Sequence, residues 1–303
     1  MPQDKTGRTA TWTPAPHGAA TTFLRRYDTV NSRAGAVRDP RLIASVESGP
    51  LLRASVAAYR IAKRLDPKDK NPDKPPTHEH PHVYLPSFTG YPVWFVAVST
   101  LAHDGRTAVD LVYRPSAGAM WKKAQSVVLD KGASLPSIAE RNGTAVAVTG
   151  AADGLVRPPD KAALAYARLL EGGPSAPQAH AFVPHPDTER AHGASAANRK
   201  QSNAFTYDQK FTVTSVRALA TDDGEALVLF TMQETEALGM RNSSLRFKKD
   251  DAIAAYTGLA RGQAFLRTSW IWQVAAVIPA NGGSDPRIRL LGTQRSLAAA
   301  TMR

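Results

Sequence analysis

The sequence predicts an α+β protein of two tandem modules, each a curved antiparallel β-sheet covered by N-terminal helices. Three observations carry this. Apolar residues recur at helical spacing over residues 21–65 and then switch to alternation, the period of strands. The same switch, from a short helix to long alternating runs, returns after residue 159. Hairpin turn signals separate the alternating runs in both halves. Runs of helix followed by runs of antiparallel strand give an α+β layer.

The polar, Thr- and Pro-rich residues 1–18 read as a flexible tail, and residues 19–150 as the first module. Phe23, Leu24, Tyr27, Val30 and Ala34 share one helical face, with Thr21 or Thr22 as cap. Asp39-Pro40 opens a second helix, because proline suits the first helical position. Gly49-Pro50 is expected to end or kink it, and residues 51–65 form a third helical piece. A Pro-rich basic loop fills residues 66–76. Four strands follow, at residues 82–87, 93–102, 107–114 and 120–129. Asp104-Gly105 turns the second into the third.

Residues 133–159 look irregular, and 151–159 serve as the linker to a second module over 160–303. There Asp160 caps a helix that stops at Gly172-Gly173. Residues 174–203 carry no clear period. Two strand pairs complete the chain, residues 204–238 around Asp223-Gly224 and residues 263–296 around the loop Asn281–Pro286. The halves share element order rather than a sequence repeat.

Composition narrows the chemistry. The chain has 303 residues and no cysteine, which excludes disulfides, thiol nucleophiles and cysteine-based metal or iron–sulfur sites. No apolar run is long enough to span a bilayer. The formal charge of +12 makes a polyanionic neighbour plausible. Its clearest cluster is Arg60, Lys63, Arg64, Lys68, Lys70 and Lys74, but Asp66, Asp69 and Asp73 interrupt it. No aromatic stacking platform accompanies it, so weak, salt-sensitive contact with anionic lipid or wall polymer is expected, and no specific nucleic acid.

Few motifs suggest a reaction. "HEHPH", residues 78–82, holds three of the eight histidines. On a regular strand His78, His80 and His82 would share a face at about 6.5–7 Å spacing. A catalytic zinc needs a third ligand placed by another element, and His103 sits at a hairpin tip. The stretch therefore reads as a polar lead-in to a strand, and no metal or other cofactor is expected. No nucleophile elbow, phosphate loop or dinucleotide fingerprint is present. "RGQAFLRT", residues 261–268, imitates an RNA-binding strand, yet Gln263 stands where one stacking aromatic is required beside Phe265, so it reads as core strand. Tyr27, Asp28 and Asp110 are the candidates for proton transfer in a cavity. Helical geometry places Tyr27 inward and Asp28 outward, pairing with Arg25 or Arg33. Trp94, Trp121, Trp270 and Trp272 read as packing residues. No catalytic residue is assigned.

Helices followed by a curling meander resemble the cone of the nuclear-transport-factor-2-like, cystatin-like superfamily, to which ketosteroid isomerases belong. The segment "RYDTVNSRAGAVRDPRLIASVESGPLLRASVAAYR", the "VYLP…WFVAVST" hairpin and Trp121-Lys122 resemble a family of two-module envelope proteins of high-GC actinobacteria. The match is clearest over residues 23–130, with "QKF…GEALVLFTMQET" matching more loosely. The resemblance implies an extracellular or membrane-anchored envelope location, with the signal or anchor absent from this chain. It brings no catalytic motif. The expected role is a non-enzymatic envelope binding or scaffold protein for a protein partner or a small apolar ligand. An isomerase or hydrolase using a cavity carboxylate is the alternative, and a charge-driven nucleic-acid binder the second.

Overall fold

A computed structural model describes residues 11–15, 17–70, 75, 77–150, 152, 154–201, 203–241 and 243–303. Lys74 and Asp73 of the basic loop, and residues 1–10 of the expected tail, lie outside them. Described parts of that tail are structured. Trp12 pairs its backbone with Phe88, and helix α1 already runs from His17 to Val37.

Helix α2 is short, Pro40–Ile43, and Asp39 caps it by accepting from the Arg41 and Leu42 N–H groups. Helix α3 spans Gly49–Leu65. Gly49-Pro50 thus starts a helix instead of ending one, since Pro50 stands in the first turn, where no N–H bond is lost. The chain between α2 and α3 is also tied to Lys123, where Ser48 N–H donates to the Lys123 carbonyl and Lys123 N–H to the Val46 carbonyl. Strands β1 (His78–Tyr84), β2 (Val93–Leu101), β3 (Thr107–Arg114) and β4 (Lys122–Val128) form an antiparallel sheet in sequence order.

The irregular stretch contains a two-residue hairpin, β5 (Glu140–Arg141) and β6 (Thr144–Ala145). Its turn, Asn142-Gly143, has φ of 52° and 72° and is the dipeptide that such left-handed turns favour. Helix α4 is Pro159–Gly172. Asp160 lies in its first turn rather than at the cap, which Pro158 occupies without a side-chain bond. Residues 186–200 form α5 (Pro186–Lys200), invisible as a period because it buries little beyond Thr188 and Ser195. Strands β7 (Phe205–Ala220) and β8 (Ala226–Met240) precede a small excursion: β9 (Leu245–Arg246), α6 (Ala252–Thr257) and β10 (Arg261–Gly262). Strands β11 (Phe265–Ile278) and β12 (Arg289–Met302) complete a second antiparallel sheet, ordered β12-β11-β8-β7. Gln263 and Phe265 of the RNA-like stretch thus sit at the entry to β11.

Both sheets are buried on both faces. Phe95, Ala97 and Val112 pack under α1 and α2 with Leu24, Tyr27 and Ile43. Phe230, Met232, Val274 and Ala276 pack under α4 with Tyr166 and Leu170. The opposite faces meet each other: Trp94, Val96, Leu111 and Val127 against Leu227, Leu229, Ala275 and Val277. The chain is therefore layered helix, sheet, sheet, helix. The sequence places a core inside each half, and the structure adds a third core between them. The expectation of two separate cones does not describe these inner faces.

Polar groups fasten the layers. The Gln125 amide donates to the Phe230 and Val274 carbonyls at 3.1 and 3.0 Å, and the Ser126 N–H donates to the Gln273 side chain at 2.9 Å. The sheets approach closely at Gly292, where a Cβ would lie 2.6 Å from the Val128 carbonyl oxygen. Only glycine fits that approach.

Candidate functional site

Three places gather chemistry-bearing side chains. The first lies under α1. His78 Nδ1 is 2.5 Å from Asp28 Oδ1, and His78 Nε2 is 3.1 Å from Asp110 Oδ2. Lys123 Nζ is 2.6 Å from the same Asp110 oxygen and 3.7 Å above the Tyr27 ring. The Tyr27 hydroxyl donates to Glu47 Oε1 at 2.8 Å, and the Ser126 hydroxyl donates to Asp110 Oδ1 at 2.6 Å. Asp28 thus turns inward, contrary to the sequence expectation, because His78 offers both its backbone N–H and its ring.

The three histidines do not share a face. A bulge between Glu79 and His82 breaks the register, and His80 has φ of 48°. His78 alone goes inward; His80 and His82 are exposed. His103 stays at its hairpin tip beside Asp104.

Charge coupling follows from burial. Burial alone would lower the His78 pKa, but hydrogen bonds to Asp110 and Asp28 outweigh it and raise the value. Burial works to raise Asp110, yet Lys123 and His78 drive its pKa well below the carboxylate range. Burial raises Glu47, partly offset by bonds from Ser55 and Tyr27. Tyr27 is raised by burial and by the facing Glu47 carboxylate. Lys123 and Glu47 carried no sequence signal, since a buried charge inside "KKAQS" or "SVESG" looks like surface. Asp110, flanked by apolar residues in "AVDLV", was legible.

The second place is a cleft of about 480 Å³ between α5 and the outer face of the second sheet. Glu234 there accepts from Trp272 Nε1 at 2.7 Å, Gln209 Nε2 at 2.8 Å and Arg295 Nε at 2.7 Å. Glu236 accepts from Trp270 Nε1 at 2.8 Å and Tyr207 Oη at 3.0 Å, and Arg295 stacks 3.7 Å over Trp270. The two tryptophans do more than pack, but each carboxylate is satisfied by this chain's own donors. Nearby, Asp130, His185 and Asp187 converge at metal-ligand distances. Both His185 nitrogens are engaged: Nε2 lies 2.7 Å from Asp130, and Nδ1 accepts the Asp187 N–H at 3.3 Å as the α5 cap. That accounts for the cluster without an ion.

The third place is a cleft of about 770 Å³ at the edge of the inter-sheet core. Phe88, Pro92 and Trp94 come from the first half; Val148 and Gly150 from the irregular segment; Pro159 and Asp160 from the start of α4; Val216, Arg217 and Ala218 from β7. Its walls are mostly apolar. Beside it the outer edge of β7 is paired with the irregular segment: Val148 N–H donates to the Ala218 carbonyl at 3.0 Å and Ala220 N–H to the Val146 carbonyl at 2.8 Å.

The comparisons with known proteins follow the same extent of chain. The profile of a family described as a domain of unknown function (DUF8094) matches residues 15–302. The chain belongs to this family. It is 29% identical to an uncharacterized lipoprotein of Streptomyces coelicolor, over 75% of this chain and 67% of that protein. A second S. coelicolor uncharacterized lipoprotein is 26% identical over 94% of this chain and 85% of its own length. An uncharacterized lipoprotein of Streptomyces avermitilis is 24% identical over 94% and 86%. No solved structure matches. The relatives are consistent with an actinobacterial envelope protein. No helix among the described residues is long and apolar enough to cross a membrane.

Proposed function

We propose that this DUF8094 chain is a non-enzymatic envelope protein that binds a small apolar ligand in the cleft beside β7. The cleft carries the reading. At about 770 Å³ it falls in the usual range for ligand sites, and half-buried apolar side chains line it from several elements. The lipoprotein relatives support the location, by placing similar chains under a lipid anchor.

The buried charge network supports the non-enzymatic part. Asp110 and Lys123 are 0% and 1% exposed, and helices α1 and α3 pack over them. General acid–base chemistry requires reach to a substrate proton, and among the described residues these groups are held by His78, Ser126 and Tyr27 beneath the helices. Their geometry suits a structural role.

The test is titration with the neutral dye N-phenyl-1-naphthylamine. Saturable binding of one dye per chain is expected, lost in Val148→Asp while the melting temperature holds. Absent binding, or binding unchanged by Val148→Asp, rejects the cleft as the site.

A further inference from the structure

One charged side chain in the apolar cleft, Arg217, has no ion-pair partner among the described residues. Arg217 lies on β7, between Val216 and Ala218, and points to the inter-sheet side with Leu219. Its Nη1 donates at 2.6 Å to the carbonyl of its own neighbour Val216. Its other donors have no hydrogen-bond acceptor, and it makes no salt bridge, among the described residues. The side chain is half-buried, so its remaining N–H groups stay accessible from the cleft. Burial lowers its pKa, opposed by Tyr113. An arginine on an apolar wall with free N–H groups fits an acceptor brought by a ligand.

A second feature of the lining agrees. Helix α4, 14 residues long, begins at the cleft with Pro159 and Asp160. Pro158 caps it with no side-chain acceptor, so the first-turn N–H groups of Asp160 and Lys161 lack a partner within the helix. Helix N-termini favour anions. The Asp160 carboxylate also lines the cleft, but it is 58% exposed and 3.6 Å from Lys161, itself 62% exposed, so the pair is solvated.

Resting on the cleft reading above, we infer that the cleft selects a single-chain amphiphile with a carboxylate head. Arg217 and the start of α4 receive the head. Phe88, Trp94 and Val148 line the path of the apolar chain. The ligand class is that of fatty acids, as opposed to neutral lipids or alcohols of equal length.

Calorimetric titration of the full chain with sodium decanoate and with 1-decanol tests this. Decanoate should bind about tenfold more tightly, which corresponds to about 1.4 kcal/mol. Arg217→Gln should bring decanoate down to the decanol affinity and leave decanol unchanged, and Arg217→Lys should keep part of the preference. Should Arg217→Gln fail to fold, the two head groups on the unaltered protein still decide. Equal affinity for both probes overturns the inference and leaves the apolar cleft standing. Binding of neither removes the cleft reading itself.

Discussion

Replacing Lys123 by methionine keeps the length of the side chain and removes its charge. Lys123 is 1% exposed and sits 2.6 Å from Asp110, 3.1 Å from His78 Nε2 and 3.7 Å from the Tyr27 ring centroid. Without it, Asp110 keeps His78 and Ser126 as polar partners among the described residues, and buried Glu47 loses the charge of Lys123 that offsets its burial. Breaking a buried pair by deleting one partner costs about 3–5 kcal/mol, because the remaining charge stays desolvated. That is a large part of the roughly 5–15 kcal/mol stability typical of a folded protein. With a urea slope of about 3 kcal/mol/M, the midpoint should fall by about 1–2 M. Lys123→Met/Asp110→Asn should recover part of the loss, since the uncompensated charge is gone. A midpoint shift below about 0.3 M, or a double variant no better than the single one, would refute a charge-coupled core here.

The same network sets a pH dependence. His78 is raised in the fold, so its contribution is full below its unfolded value of 6.5 and is lost as pH rises through the folded value; Asp110 is lowered, so its contribution is full above 3.8 and is lost as pH falls through its folded value. Glu47 is raised, so it too loses stability as pH climbs from 4.5. Melting should therefore be higher near pH 5.5 than near pH 8, and His78→Asn should flatten the difference; an unchanged slope in that variant speaks against it. Halves made separately, cut between Gly150 and Asp160, should each expose the apolar layer shared by Trp94, Leu111, Leu229 and Val277, and should recover structure only when mixed. Cooperative urea unfolding of either half alone would contradict this. Charge reversal of exposed Arg60, Lys63 and Arg64 should weaken retention on anionic liposomes at low salt and leave circular dichroism unchanged. Retention that survives high salt would show a specific site instead.

Much of the architecture was legible because it is local. The 3.6-residue spacing of Phe23, Leu24 and Tyr27 and the strand-length apolar run in "VWFVAVST" follow from which residues face a core. Turn chemistry located the β2–β3 hairpin at Gly105, with φ of 70°, and the β7–β8 hairpin at Gly224, with φ of 81°. Helix α5 escaped because it lies on the protein with a polar face and capping by His185, leaving no apolar stripe to read. The β5–β6 turn escaped although Asn142-Gly143 advertised it, since two-residue strands have no period.

The sequence by itself determined the order of the long helices and strands, the faces they bury, the absence of cysteine chemistry and the family resemblance. Only the tertiary structure decided what those faces meet. The continuous apolar runs that open β2 and β8 say that both faces are apolar, but not that Val96 and Leu229 belong to one core. Asp28, His78, Asp110 and Lys123 come from α1, β1, β3 and β4, and their pairing requires the β1 bulge that turns His78 inward and His80 outward. Arg217 lies in "SVRALA" like any strand arginine facing solvent. It becomes a candidate ligand group only where the edge of one sheet, the other half's Trp94 and the start of α4 close around it. Those contacts join residues far apart in the chain, and local sequence carries no energy term for them.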